Sequence, residues 1–146
     1  MIKHAFRATM LALVMFTALP SCASAPIANP VAVARTLDQQ AYAVLDTYAV
    51  LVEEAAKVAA DPNVPIGVKR ALGQAEKVAT PAVQIVESAL AAYIRARADF
   101  EAASGQPQST LQRATSALSI ADQRLSQAVT AASPAIAALR SLVRGH

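Results

Sequence analysis

The chain has 146 residues, of which 55% are apolar, 4% aromatic and 16% charged, a balance that suits one packed domain and excludes a disordered tail. Alanine occurs 36 times against four glycines and no tryptophan, which favours helices over a sheet. The net charge is +3, but two of the 13 basic side chains, Lys3 and Arg7, fall in a leader-like segment. That leaves 11 basic against 10 acidic residues and no basis for nucleic-acid binding.

Residues 1 to 25 carry an export pattern. Lys3 and Arg7 form a charged start, Ala8 to Leu19 an apolar run of twelve, and small residues cluster from Ser21 to Ala25. Twelve residues rise about 18 Å as a helix, short of the roughly 30 Å hydrocarbon core. Within this segment, Leu19-Pro20-Ser21-Cys22 resembles the lipobox of bacterial lipoproteins. The resemblance implies cleavage between Ser21 and Cys22 and acylation of Cys22, which holds a protein at a membrane without a spanning helix. Leu19 and Ser21 match the pattern; Pro20 departs from it, standing where a small or β-branched residue is usual. The alternative is ordinary cleavage after Ala23, which removes Cys22, the one cysteine, with the leader. On the first reading the chain divides into a signal peptide (1–21), a lipid-anchored tether (22–30) and a helical domain (31–146). Ala23 stands where enterobacterial inner-membrane retention typically uses aspartate, so the resemblance implies the outer membrane, facing the periplasm. The other reading gives a soluble periplasmic protein.

From Val31 onward the apolar spacing is helical. Leu37, Ala41, Val44, Tyr48, Leu51, Ala55 and Val58 recur by fours and threes, one heptad stripe. Beside it runs a second stripe, Tyr42, Leu45, Ala49, Val52, Ala56 and Ala59, which leaves Asp46, Thr47, Glu53, Glu54 and Lys57 on the polar face. Two stripes predict packing against two neighbours. Val50 is apolar on that polar face and marks a position to test for self-association. Asp61-Pro62-Asn63-Val64-Pro65 ends the helix, with Asn63 available to cap the next.

A helical segment then covers 66 to 79. Thr80-Pro81 has the form of a cap followed by proline in the first turn, predicting a new helix that buries Val83, Val86, Leu90, Tyr93 or Ile94, and Phe100. Ser104-Gly105 with Pro107 ends it. A third long helix from Ser109 buries Leu111, Ala114, Leu118, Ala121, Leu125, Ala128 and Ala132, and Ser133-Pro134 predicts one last short helix with Ile136, Leu139 and Val143 inward. The expected fold is all-α: an antiparallel bundle of three long helices plus shorter segments separated by proline breaks. Folding the chain about 104 to 108 places residue 81 opposite about residue 130, so both breaks fall near one level, as two ordinary junctions or a bend.

For catalysis the inventory is nearly empty. After the leader the chain has one histidine, His146, and no cysteine besides Cys22, so no zinc ligand set, no metal site and no hydrolase base can be assembled. Glu53 and Glu54 point about 100° apart on a helix, and the glycines at 67, 73, 105 and 145 form no phosphate loop. No enzyme and no cofactor are expected. Two basic groups remain, Lys69 and Arg70 with Lys77, and Arg140 with Arg144 beside His146. The second pair shares a helix face at a C-terminus, where cations are favoured, and is the candidate surface contact. The leading expectation is a non-catalytic envelope lipoprotein whose bundle is an interaction or scaffold module, monomeric, with an envelope protein as partner. A periplasmic small-molecule or lipid carrier, and a phage or mobile-element accessory lipoprotein, are the alternatives.

Overall fold

The computed structural model describes residues 36 to 145. The readings that concern the leader, the lipobox with Ser21 and Cys22, the tether and His146 lie outside the described residues. Three helices account for nearly all of the rest: α1 (Leu37–Ala60), α2 (Ile66–Ala102) and α3 (Gln108–Arg144), with no strand among the described residues. Each helix packs on both others, giving an all-α three-helix bundle. The two connections, 61–65 and 103–107, are short, so α2 runs antiparallel to α1 and α3.

The start of α1 is set by Thr36-Leu37-Asp38-Gln39. Thr36 is extended at the N-cap, and Gln39 closes a capping box by accepting the Thr36 N–H on its Oε1 at 3.3 Å. At the first connection Asp61, rather than Asn63, organises the chain: its carboxylate accepts the Asn63 N–H at 2.8 Å, and Pro65 occupies the N-cap of α2. The second connection turns on Gly105, whose φ of +85° is the left-handed conformation that glycine adopts without cost.

The first heptad stripe of α1 is the one that packs. Ala41, Val44, Leu51 and Ala55 are buried, and Leu37, Tyr48 and Val58 lie partly buried against the same core. The second stripe is corrected. Leu45 and Val52 are half-buried, but Tyr42, Ala49, Ala56 and Ala59 are exposed. A single stripe lying over the seam between two helices touches both, so two neighbours do not require two stripes. The core continues through Val83, Val86 and Leu90 of α2 and Leu125, Ala128, Ala132, Ile136 and Leu139 of α3. Tyr93 packs on it, while Ile94 stays outside.

The breaks expected at Thr80-Pro81 and Ser133-Pro134 do not occur, since both prolines lie inside continuous 37-residue helices. Each hydroxyl read as an N-cap turns back instead: Thr80 Oγ1 donates to Glu76 O at 2.8 Å and Ser133 Oγ to Val129 O at 2.9 Å. Proline inside a helix removes one backbone bond and costs about 3 kcal/mol. Ala79 and Val83 on either side of Pro81, and Ala132 and Ile136 on either side of Pro134, are buried, and burial of that order offsets the loss. Both prolines are on the exposed side of their helices, where the ring meets no neighbour.

Tyr48 ties α1 to this level of the bundle. Its hydroxyl lies 2.6 Å from Thr80 Oγ1, and because the Thr80 proton is committed to Glu76 O, Tyr48 is the donor. The result is an interhelical bond beside Pro81. One shallow groove brings Ile85, Ser88, Ala89 and Ala92 against Arg124, Gln127, Ala128 and Ala131. That antiparallel register, carried on by about a turn, brings Pro81 level with Pro134.

Candidate functional site

The two arginines picked out from the sequence, and Val50, meet in one place. Arg140 and Arg144, one turn apart near the end of α3, face Asp46, Thr47, Val50, Leu51 and Glu54 of α1 across a cleft of about 200 Å³. Helical spacing explains the α1 wall: 46, 50 and 54 form one line at four-residue steps, and 47 and 51 a second line nearer the core. Leu51 is buried, whereas Val50 is 44% exposed, an apolar side chain on the lip between two carboxylates.

Thr47 corrects the sequence reading. Placed with the polar, solvated residues, it is only 7% exposed, because the C-terminal part of α3 lies against this flank of α1. Its Oγ1 is buried without a hydrogen-bond partner. A helical hydroxyl can satisfy itself on the carbonyl four residues back, as Thr80, Thr115, Thr130, Ser88 and Ser133 do here. Thr47 makes no such bond, and a buried orphan hydroxyl costs roughly 1–3 kcal/mol.

The charges around the cleft are opposite in sign. Asp46, Glu54 and Arg140 make no ion pair with one another within 4.0 Å; the ion pair seen among the described residues is Arg97 to Glu101, at 3.2 Å on the exposed face of α2. That bond, with the charge of Glu101 behind it, raises the Arg97 guanidinium above its ordinary pKa. Arg95, on the same helix, donates from Nε to Ala91 O at 3.1 Å.

The remaining candidates are dispersed. Glu53 is exposed while Glu54 is half-buried at the cleft, so adjacent carboxylates separate as their helical angle requires. Lys69, Arg70 and Lys77 line none of the cleft. Among the described residues no cluster of three histidine, cysteine or acidic side chains is placed to hold a metal ion. None of the described helices is long and apolar enough to cross a membrane. A second surface feature is the groove between α2 and α3, about 490 Å³, floored by Ser88, Ala89, Ala92, Ala128 and Ala131. Ile85 stands at its lip, 61% exposed, with Val78 one heptad back on the same face of α2.

No protein family, curated protein or solved structure matches this chain. The residues that sequence reasoning missed are Asp46 and Thr47. The available signal was Val50: an apolar residue amid polar ones marks a flank that another element approaches, and Thr47 and Leu51 fall on that flank.

Proposed function

We propose that this protein is a non-catalytic lipoprotein of the bacterial envelope, anchored through acylated Cys22, whose bundle binds an amphipathic helix of an envelope partner. The observation that carries the interaction reading is the α2/α3 groove. Its floor of alanine and serine and its exposed Ile85 lip offer what a fourth helix needs: small residues that admit close backbone approach beside a large apolar residue that interdigitates. The anchor rests on the resemblance of Leu19-Pro20-Ser21-Cys22 to a lipobox.

Two experiments test the two halves. Intact mass of protein extracted from membranes of a Gram-negative host is expected to give a chain beginning at Cys22 with acyl mass added, and an unacylated product for Cys22→Ala. An unmodified wild-type chain beginning near Ser24 rejects the anchor. A photo-crosslinking residue in place of Ile85, in the living envelope, is expected to give one discrete adduct that Ala131→Arg abolishes. The same adduct persisting with Ala131→Arg, or none forming, rejects the groove.

A further inference from the structure

We infer that the partner of the α2/α3 groove is a second copy of this chain, which rests on the groove reading above and names its occupant. The two copies are related by a two-fold axis that crosses α2 at Ser88 and sets the two α2 helices antiparallel, a pair in place of the monomer expected from the sequence. A two-fold interface must be self-complementary: each residue that meets another is met by it in return. The outward side of α2 has that property. Lys77 and Asp99 each stand eleven residues from Ser88, about three helical turns, which returns both to the direction of Ser88. All three are exposed. Turning one α2 over onto another about Ser88 therefore sets each Lys77 against Asp99 of the other copy, two opposite-charge contacts at the two ends of one face, while Arg95 falls opposite the uncharged Pro81. The centre is small and its polar atom is already satisfied: Ser88 Oγ donates to Gln84 O at 2.9 Å, so it can lose water on close approach.

The apolar residues obey the same axis. Ile85 stands on the side of α2 that borders the groove. The rotation keeps it on that side and carries it across the level of Ser88, so Ile85 of the second copy enters the groove between Ala89 and Ala92 of α2 and Ala128 of α3. Ile120 continues the α3 edge of the face, four residues before Arg124 and seven before Gln127. In the antiparallel hairpin Ala92 is level with about Arg124, which puts Ile120 level with about residue 96, while the axis brings Val78 of the second copy to the level of about residue 98. The two meet within about a turn. Val78, Ile85 and Ile120 are each more than half exposed in the single chain, and one rotation covers all three. The face from 77 to 99 is about 33 Å long and two helices, about 20 Å, wide, so each copy contributes about 650 Å², the lower end of what a specific interface needs.

The test joins sedimentation of the full chain, as its host produces it, to the mass of the Ile85 photo-adduct. A monomer and dimer in exchange are expected between about 5 and 500 µM, with an adduct of two chains. Lys77→Asp and Asp99→Lys should each weaken the dimer by about tenfold, because two contacts turn from attraction to repulsion, and the chain carrying both changes should recover it. Ile85→Asp should leave no dimer over that range. These positions are exposed, and circular dichroism establishes that each variant keeps the helical content of the parent. An adduct of any other mass, from a chain that sediments as a monomer, overturns the second copy and leaves the groove to a different partner; no adduct at all rejects the groove with it. A dimer that the doubly changed chain fails to recover overturns the two-fold register. One that Val50→Asp dissociates and Ile85→Asp does not would put the contact on α1 and overturn the proposal.

Discussion

The same leucine and alanine spacing runs the whole length of α3, yet the two halves of the α2/α3 hairpin differ. Toward the C-terminal end of α3, Leu125, Leu139 and Ala132 are fully buried, with Val44 of α1 and Val86 of α2 beside them. Toward the hairpin tip, Leu111, Ala114, Leu118 and Phe100 are only half-buried. α1 makes the difference. Its first turn reaches the level of Tyr93 and Arg97, where Asp38 and Tyr42 share a groove with them, and the tip beyond that point is two helices without a third. A heptad stripe therefore names the inward face of a helix, while depth of burial depends on how many neighbours cover that face.

Truncation in the two halves gives the largest expected contrast. Leu139→Ala should cost about 2–5 kcal/mol, the range for a fully buried leucine, whereas Leu111→Ala should cost about 1 kcal/mol, because the site is already partly wet. Urea denaturation of the pair measures it; equal losses would mean that the tip is covered by something other than α1.

The prolines sharpen the contrast from the opposite direction. Pro81→Ala restores an N–H that can bond to Lys77 O in the well-packed half, and should stabilise by about 1–2 kcal/mol once the stiffness that proline gives the unfolded chain is subtracted. Thermal denaturation reads this directly. A loss of stability would show that a bend at Pro81 is needed for packing.

Tyr48→Phe comes next. It removes the donor to Thr80 Oγ1 but leaves the ring, so a loss of about 1 kcal/mol is expected. In a Thr80→Val background most of that loss should vanish, a double-mutant cycle that isolates the α1 to α2 bond.

The smallest effect belongs to the tip-facing end of α1. The Thr36 hydroxyl bond, assisted by the Gln39 N–H, holds the Asp38 carboxyl below its ordinary pKa. A carboxyl depressed on folding contributes stability that is present above its unfolded value and lost as pH falls through the lower folded one. Asp38 is half-buried at the first turn and still meets solvent, so the contribution is a few tenths of a kcal/mol. Comparing wild type with Asp38→Asn across pH 2 to 6 should show the two converging at the acid end. Divergence there would place the depressed carboxyl elsewhere.

Much of this was legible in the chain. The all-α class, the turn at 61–65, the end of α2 before Gly105 and the inward residues of the first α1 stripe follow from spacing and turn chemistry, which act within a few residues. The capping box at Thr36 and Gln39 was passed over, although its Thr-x-x-Gln signature lies in the chain. Two local signals misled. Thr80-Pro81 and Ser133-Pro134 have the composition of helix starts, but burial of the residues flanking each proline on the core side outweighs one lost backbone bond. The cleft was legible only in its parts: Arg140, Arg144 and Val50 stood out singly, and nothing local relates position 50 to position 140.

What the sequence by itself determined is the all-α class, the two turns and the main inward stripe of α1, because these depend on side chains three and four residues apart and on turn residues. Only the tertiary structure decided that two proline signals are overridden, that Thr47 is covered, and that the α1 carboxylates and the α3 guanidiniums line one cleft. Those outcomes depend on which helix lies against which, a balance of buried area against local preference summed over residues far apart in the chain.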